Sequence, residues 1–257
     1  RARDMCGIVA MLGLDGPVDP GALDRAVQRL HHRGPDAART WVSPERHVGL
    51  GHARLSIIDL ATGDQPIASE DGRSSIVVNG EFYDHERLQR GLVERGHALR
   101  TRSDSEVALH LYEERGADCL ADLRGEFAFV VWDGREQVLF AARDRFGIKP
   151  LYYAAAGGVL MLASEIKAFA AAGMRLRWDH DSVFAHLFAC AASDRSLFDG
   201  VRQLPPGHHL TASNGRWRVA RYWDVDYPRA PRRPPTAAEE NGWIERLRGG
   251  VEEAVRL

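Results

Sequence analysis

Cys6 lies in the segment Met5-Cys6-Gly7-Ile8, close to the start of the chain. A cysteine that becomes the first residue of a chain holds a nucleophile and a base on one residue. Its thiol can attack a carbonyl carbon, and its α-amino group, with an ordinary pKa of about 7.7 to 8.0, can take the thiol proton directly or through a water. Taken alone, such a residue is more simply a buried cysteine opening a strand, because free cysteines are commonly buried and inert. The other two cysteines, Cys119 and Cys190, are distant from it and from each other. That spacing fits neither a disulfide framework nor a zinc cluster, so any thiol chemistry is done singly. His31-His32 and His208-His209 offer imidazoles, but adjacent residues on extended chain point to opposite faces and no Cys/His spacing accompanies them. No metal site is expected there. Asn79-Gly80, by itself, is a hairpin-turn signal. No Gly-x-x-x-x-Gly-Lys phosphate loop occurs.

The elements that must position these residues follow from pattern. The apolar stretch Cys6 to Leu14 predicts a buried first strand. Asp19-Pro20 opens a helix with Leu23, Val27 and Leu30 on one face, and Gly34-Pro35 marks a loop after it. Strand-like pieces are expected near Trp41-Val42, His52 to Ile58 and Ser75 to Val78, then a helix from Glu86 to Arg95. Ser103-Asp104-Ser105-Glu106 has capping-box spacing and puts Asp104 at the start of the next helix. Phe127 to Trp132, Val138 to Ala142 and Val159 to Ala163 are apolar runs divided by turn residues. Helices are expected over Glu165 to Ala172 and Asp181 to Phe188. His208 to Ala212 and Trp217 to Tyr222 flank the hairpin signal Ser213-Asn214-Gly215. Several strands between helices, joined by short loops, favour packed antiparallel sheets with helices outside them, an α+β arrangement.

The segments MCGI (5–8), HHRGPD (31–36), HARLSIID (52–59), NGEFYD (79–84), SDSE (103–106), RDRFGIKPLYY (143–153), ASEIKA (163–168) and LPPGHHL (204–210) follow in that order along the chain. Together they resemble the class II glutamine amidotransferase domain of glutamine-hydrolysing asparagine synthetases, over about Cys6 to Trp223. The resemblance implies the N-terminal-nucleophile hydrolase fold, a four-layer αββα sandwich of two antiparallel sheets. It implies Cys6 as the nucleophile toward the side-chain amide of L-glutamine, and Asn79 and Gly80 as the oxyanion hole. Arg54 matches the arginine that clamps the substrate α-carboxylate, which suits a planar fork. Ile57 and Ile58 match the adjoining contact segment, and Glu81 and Asp104 the acidic groups that hold the substrate ammonium. His32, Arg33 and Asp36 are expected to shape the loop beside the site without a catalytic step. Asp84 stands where the family commonly has asparagine.

The composition allows this. The chain has 257 residues, with 34 basic and 36 acidic side chains and a formal net charge of -2. It therefore has no global field to draw in nucleic acid or an anionic membrane, and no apolar run reaches the roughly 18 residues of a membrane span. A cytoplasmic protein without nucleic-acid or membrane partners is expected. Lys149 and Lys167 are the lysines of an otherwise arginine-rich set. Both fall inside the segments above, which suggests that a compact ammonium is held there where guanidinium would not fit.

Two features depart from the family pattern. Residues 1–5 precede Cys6, and an acylated nitrogen is no base. The stretch is expected to be a tag remnant, a propeptide awaiting cleavage, or an extension in a protein that has lost glutaminase activity. From Asp224 to about residue 236 the chain is rich in proline and arginine, as in a stiff linker. Trp243, Ile244, Leu247, Val251, Ala254 and Val255 then form a helical apolar stripe interrupted by Gly249-Gly250. Residues 237–257 are expected to begin a synthetase domain, otherwise missing, that would use ATP and Mg²⁺. No cofactor is expected for residues 6–223. That C-terminal synthetase domain and a second copy of the chain, in a homodimer, are the expected protein partners. The acceptor of the ammonia is aspartate in one reading and a specialised-metabolite carboxylic acid in another. A non-catalytic scaffold with a blocked Cys6 is the third.

Overall fold

The computed structural model describes residues 5–56, 59, 62–190, 192–227 and 233–256. Strands and helices run in the order β1 (Gly7–Gly13), α1 (Pro20–Gln28), β2 (Ala37–Val42), β3 (Val48–Arg54), β4 (Ile67–Ala68), β5 (Ser74–Phe82), α2 (His85–Glu94) and α3 (Asp104–Arg115). After a short 3₁₀ turn at Gly116–Ala121 come β6 (Gly125–Asp133), β7 (Val138–Arg143), β8 (Tyr152–Ala156), β9 (Val159–Ala163), α4 (Lys167–Ala171) and α5 (His180–Leu187). The last elements are β10 (Val201–Gln203), β11 (His208–Ser213), β12 (Arg216–Arg221) and α6 (Ala237–Arg256).

The strands form two six-stranded antiparallel sheets, ordered β10-β8-β9-β1-β3-β2 and β12-β11-β7-β6-β5-β4. Strand periodicity explains the layering. Successive side chains of a strand point to opposite faces, and β1 is buried on both. Ile8, Ala10 and Leu12 join Val77, Val130 and Ala141 in the core between the sheets. Val9 and Met11 face the other way, onto Leu23, Ala26 and Val27 of α1 and Phe169 of α4. In β6 the same alternation sends Ala128, Val130 and Trp132 between the sheets, and Phe127, Phe129 and Val131 outward against Val107, Leu111 and Tyr112 of α3. A strand covered on both faces is apolar throughout, which is why β1 and β6 are continuous apolar runs. Helix, sheet, sheet, helix is the resulting order, the expected α+β sandwich.

Several expectations of local structure are corrected. The stretch His52 to Ile58 is not one strand: β3 begins at Val48 and ends at Arg54, and Ile57 and Ile58 lie outside the described residues. Asn79-Gly80 is no turn, because β5 continues through both residues with Asn79 opposite Ala128 and Gly80 opposite Phe127. The helix expected from Glu165 begins at Lys167. Strands β4, β8 and β10 had no signal, being very short or, in β8, alanine-rich with little β-propensity.

The chain divides into two compact units, Arg1–Trp223 and Asp224–Leu257. In the second, Asp224 to Tyr227 has no regular structure, and much of the Pro/Arg-rich stretch lies outside the described residues. Helix α6 is capped by Thr236, whose Oγ1 accepts from the Glu239 amide at 3.3 Å while Glu239 accepts from the Thr236 amide at 2.8 Å, a reciprocal box. The helix continues through Gly249-Gly250 and buries none of its residues. No helix among the described residues is long and apolar enough to cross a membrane.

Candidate active site

Cys6 immediately precedes β1. Because Gly7 pairs with Ala53, the antiparallel register brings Cys6 level with the end of β3. Its Sγ donates to the Leu55 carbonyl at 3.6 Å and accepts from the Leu55 amide at 3.4 Å. The Cys6 carbonyl is held by Arg33 Nε at 2.8 Å, and Arg33 Nη1 donates to Glu165 at 2.9 Å. Glu165 also receives Lys167 Nζ at 2.7 Å and faces His32 Nε2 at 3.0 Å. Burial works against its ionised form, but these hydrogen bonds prevail and lower its pKa to about 2. Asp36 accepts the Ser56 amide at 2.7 Å. The HHRGPD segment thus fixes the backbone on both sides of the thiol.

One pocket, of about 540 Å³ including its open mouth, is lined by Cys6, Arg54, Asn79, Gly80, Glu81 and Asp104. The structure therefore brings together every described residue expected at the site. They come from both sheets and one helix: Cys6 and Arg54 from the β1–β3 edge, Asn79 to Glu81 from β5, and Asp104 from the start of α3. His52 ties the sheets together, donating from Nε2 to the Val78 carbonyl at 3.1 Å. Burial holds the His52 imidazole neutral, with its pKa lowered to about 4.

Each side chain is held differently. Arg54 is buried, and its fork is oriented by Asp64 at 2.7 Å and by the Asp59 carbonyl at 2.5 Å. Asp104 accepts the Phe82 amide at 2.7 Å, which fastens the end of β5 to α3. Burial pushes its carboxyl pKa up, against the Phe82 amide and the nearby His85. Ser103 caps α3, accepting from the Ser105 amide. Glu106 does not close the expected capping box: it reaches back to the Arg100 and Thr101 amides at 2.8 and 2.7 Å. The Glu81 carboxylate belongs to a half-buried residue and has no hydrogen bond or ion pair among the described residues.

Asn79 differs from all of these. It is fully buried, and neither Nδ2 nor Oδ1 has a hydrogen-bond partner. An unsatisfied buried polar group costs about 1–3 kcal/mol, and here the carboxamide borders the pocket that holds Cys6. Gly80 beside it has φ +151°, and a Cβ there would stand 2.1 Å from the Glu126 carbonyl oxygen and 2.6 Å from Phe127 Cα. Only glycine lets β6 pass that close.

The Cys6 thiol is the remaining electrostatic element. Burial raises its pKa, opposed by the Leu55 backbone and by the positive charges of Arg54 and Arg33. A thiol in that state attacks poorly unless a base removes its proton. The site also contains residues that sequence reasoning did not single out: His52, Gln65, Ser103 and Ser105 line the pocket. Gln65 braces it by accepting the Val78 amide at 2.6 Å and donating to Ser105 at 3.2 Å. His52 lay inside the HARLSIID segment, but a histidine in an apolar strand has no local mark of function. Lys149, noticed for its rarity, also lines the pocket and pairs with Glu126 at 3.0 Å.

Comparison with known proteins gives the chain a family and a fold relative. Residues 5–223 match a family described as a glutamine amidotransferase domain. An amidase of Gibberella zeae, chry2, is 40% identical to the chain over 266 residues, covering 98% of this chain and 39% of that protein. Glutamine-hydrolyzing asparagine synthetase 3 of Bacillus subtilis is 37% identical over 230 residues, covering 86% of this chain and 37% of that protein. The chain therefore spans about two fifths of the length of these curated relatives. The fold is similar to that of the glutamine phosphoribosylpyrophosphate amidotransferase from B. subtilis, with a TM-score of 0.64 at 21% identity over 85% of this chain and 49% of that one.

Proposed function

This chain belongs to the class II glutamine amidotransferase family, and from that premise we propose that it hydrolyses L-glutamine to glutamate and ammonia with Cys6 as nucleophile. The observation that carries the proposal is the unpartnered Asn79 carboxamide in the wall of the pocket that Cys6 shares. A buried amide with no partner is explained if its N–H is aimed at charge that develops only during reaction.

In the proposed reaction the α-amino group of Cys6, freed by removal of residues 1–5, takes the thiol proton. The sulfur forms a bond to the side-chain carbonyl carbon of glutamine, and the oxygen becomes an oxyanion held by Asn79 Nδ2 and the Gly80 amide. Collapse of the oxyanion breaks the carbon–nitrogen bond. The protonated amine returns its proton to the leaving nitrogen, so that ammonia departs and a γ-glutamyl thioester remains. Water then attacks the thioester, passing a proton through the same amine to the departing sulfur. Arg54 takes the substrate α-carboxylate, with the segment around Ile57 and Ile58 beside it, and Glu81 and Asp104 take the α-ammonium. A zwitterion is matched by one cationic fork and two acidic groups.

The ammonia would serve an ATP-dependent amide-forming domain following residue 237, as the likeness to asparagine synthetases supports. ATP and Mg²⁺ belong to that domain, and no residue described above is assigned to them. A second reading keeps the glutaminase and puts a specialised-metabolite carboxylic acid in place of aspartate; the 40% identity to a protein named an amidase rather than an asparagine synthetase leaves the acceptor open.

The test uses protein trimmed so that Cys6 is the first residue, verified by intact mass. It should release ammonia from glutamine and be labelled at Cys6 by a glutamine-mimicking electrophile, while Cys6→Ala does neither. A trimmed, folded protein that fails both tests contradicts the proposal. Screening acceptor acids with the full-length protein separates aspartate from the alternative.

A further inference from the structure

Away from the glutamine pocket, two imidazoles and two carboxylates converge where α3 passes the β4–β5 turn and the loop after α2. Ligand atoms of Glu70, His97, His110 and Glu113 all lie within 4.8 Å of one another. His110 Nδ1 is 2.9 Å from Glu113 Oε2 and 3.6 Å from Glu70 Oε2, and His97 Nδ1 is 3.4 Å from Glu70 Oε1. In a tetrahedral zinc site with bonds of about 2.0–2.1 Å, neighbouring ligand atoms stand roughly 3.3 Å apart. The observed separations straddle that value. Both rings present Nδ1 to the cluster, and the opposite nitrogens face further carboxylates: His97 Nε2 is 3.2 Å from Glu114, and His110 Nε2 is 3.5 Å from Glu106. A carboxylate behind the imidazole is the usual device for orienting a metal-bound histidine.

Charge is the second observation. His110 is completely buried, and its Nδ1 faces Glu113 and Glu70 while its Nε2 faces Glu106. Four carboxylates thus surround two imidazoles. Arg95 on Glu114 and Arg135 near Glu113 only partly balance them. A divalent cation would do so from within.

We propose that Glu70, His97, His110 and Glu113 form a structural site for a divalent transition-metal ion, of which zinc best suits two nitrogens and two oxygens in a partly buried set. The ion would staple three chain segments, two of which already meet where the Ala98 amide donates to Glu70 Oε1 at 2.9 Å. The staple also reaches the substrate pocket. Glu106, behind His110, holds the Arg100 and Thr101 amides, and Thr101 Oγ1 accepts the Ser103 amide at 3.1 Å, one residue before Asp104.

The experiment is Zn²⁺ binding to the Cys6→Ala, Cys190→Ala protein, so that neither the pocket thiol nor the exposed one competes. Calorimetry and elemental analysis after dialysis should find a single bound equivalent, with a rise in melting temperature that grows with free zinc as mass action requires. Adding His97→Ala, at a partly exposed loop position, should abolish the site while circular dichroism shows the fold intact. Glu114→Gln, behind His97, should weaken binding by roughly 10- to 100-fold. No saturable binding, or binding and stabilisation that survive His97→Ala, overturns the proposal. In that event His110 is an imidazole held by hydrogen bonds alone.

Discussion

Asn79 carries a polar side chain with both ends unpaired in a fully buried position, so its removal should separate function from stability. Asn79→Ala should lower the glutaminase kcat about 100- to 1000-fold, the usual effect of losing one oxyanion donor. The melting temperature should hold or rise, because an unsatisfied group has been deleted. Steady-state kinetics with a thermal melt on the same sample checks both. Lys149 is the complementary case, its ammonium already paired with Glu126 and nearly buried in the pocket wall. Lys149→Arg inserts a larger, planar group that cannot reproduce a point contact. Such overpacking costs about 1–3 kcal/mol. The expected result is a lower melting temperature with a raised KM for glutamine, and unchanged values in both would show that the rarity of lysine here has no physical cause.

At the scale of elements, the pairing of β5 with β6 decides what Asn79 and Gly80 can do. Asn-Gly is among the strongest local turn signals, yet Val77, Phe82, Phe127 and Val130 bury enough apolar surface on both sides to keep β5 extended through it. Gly80→Ala puts a carbon 2.1 Å from the Glu126 carbonyl, which only backbone movement can relieve. A loss of at least about 3 kcal/mol in urea unfolding is expected, at the upper end of overpacking effects, together with lost activity. Other elements were legible locally. The caps Asp19 and Ser103 stand where their spacing put them, because capping is decided within a few residues. The reach of Glu106 to Arg100 and Thr101 instead of Ser103 was not legible, since it depends on how the loop after α2 folds back.

For the molecule as a whole, the sheet-to-sheet contact through His52 sets an acid limit. Its imidazole is neutral when folded, with pKa about 4, and titrates near 6.5 when unfolded. Between those values the unfolded chain binds the extra proton, so stability falls as pH drops from about 6.5 to 4, by about 3 kcal/mol in all. Glu165 acts in a lower window. Its carboxylate is held down to about 2, so its stabilisation is present above pH 4.5 and is lost as pH falls toward 2. Denaturant melts from pH 7.5 to 3.5 should show the first decline, and His52→Asn should flatten it. A profile unchanged by that substitution would place the acid sensitivity elsewhere.

The class of fold could be read from the residues in order, since alternating and doubly apolar strands state which faces must be covered. The family was equally legible, because the motifs from Met5-Cys6-Gly7-Ile8 to LPPGHHL follow in one order along the stretch that the family match covers. Tertiary structure alone decided that these residues meet in one pocket, that Asn79 is left without a partner, and that His52 and Gln65 brace the walls. It also brought Glu70, His97, His110 and Glu113 together from three segments. The physical reason is range. Periodicity, caps and motifs are written over a few neighbouring residues, whereas burial and pairing between distant segments exist only after two sheets have closed on each other.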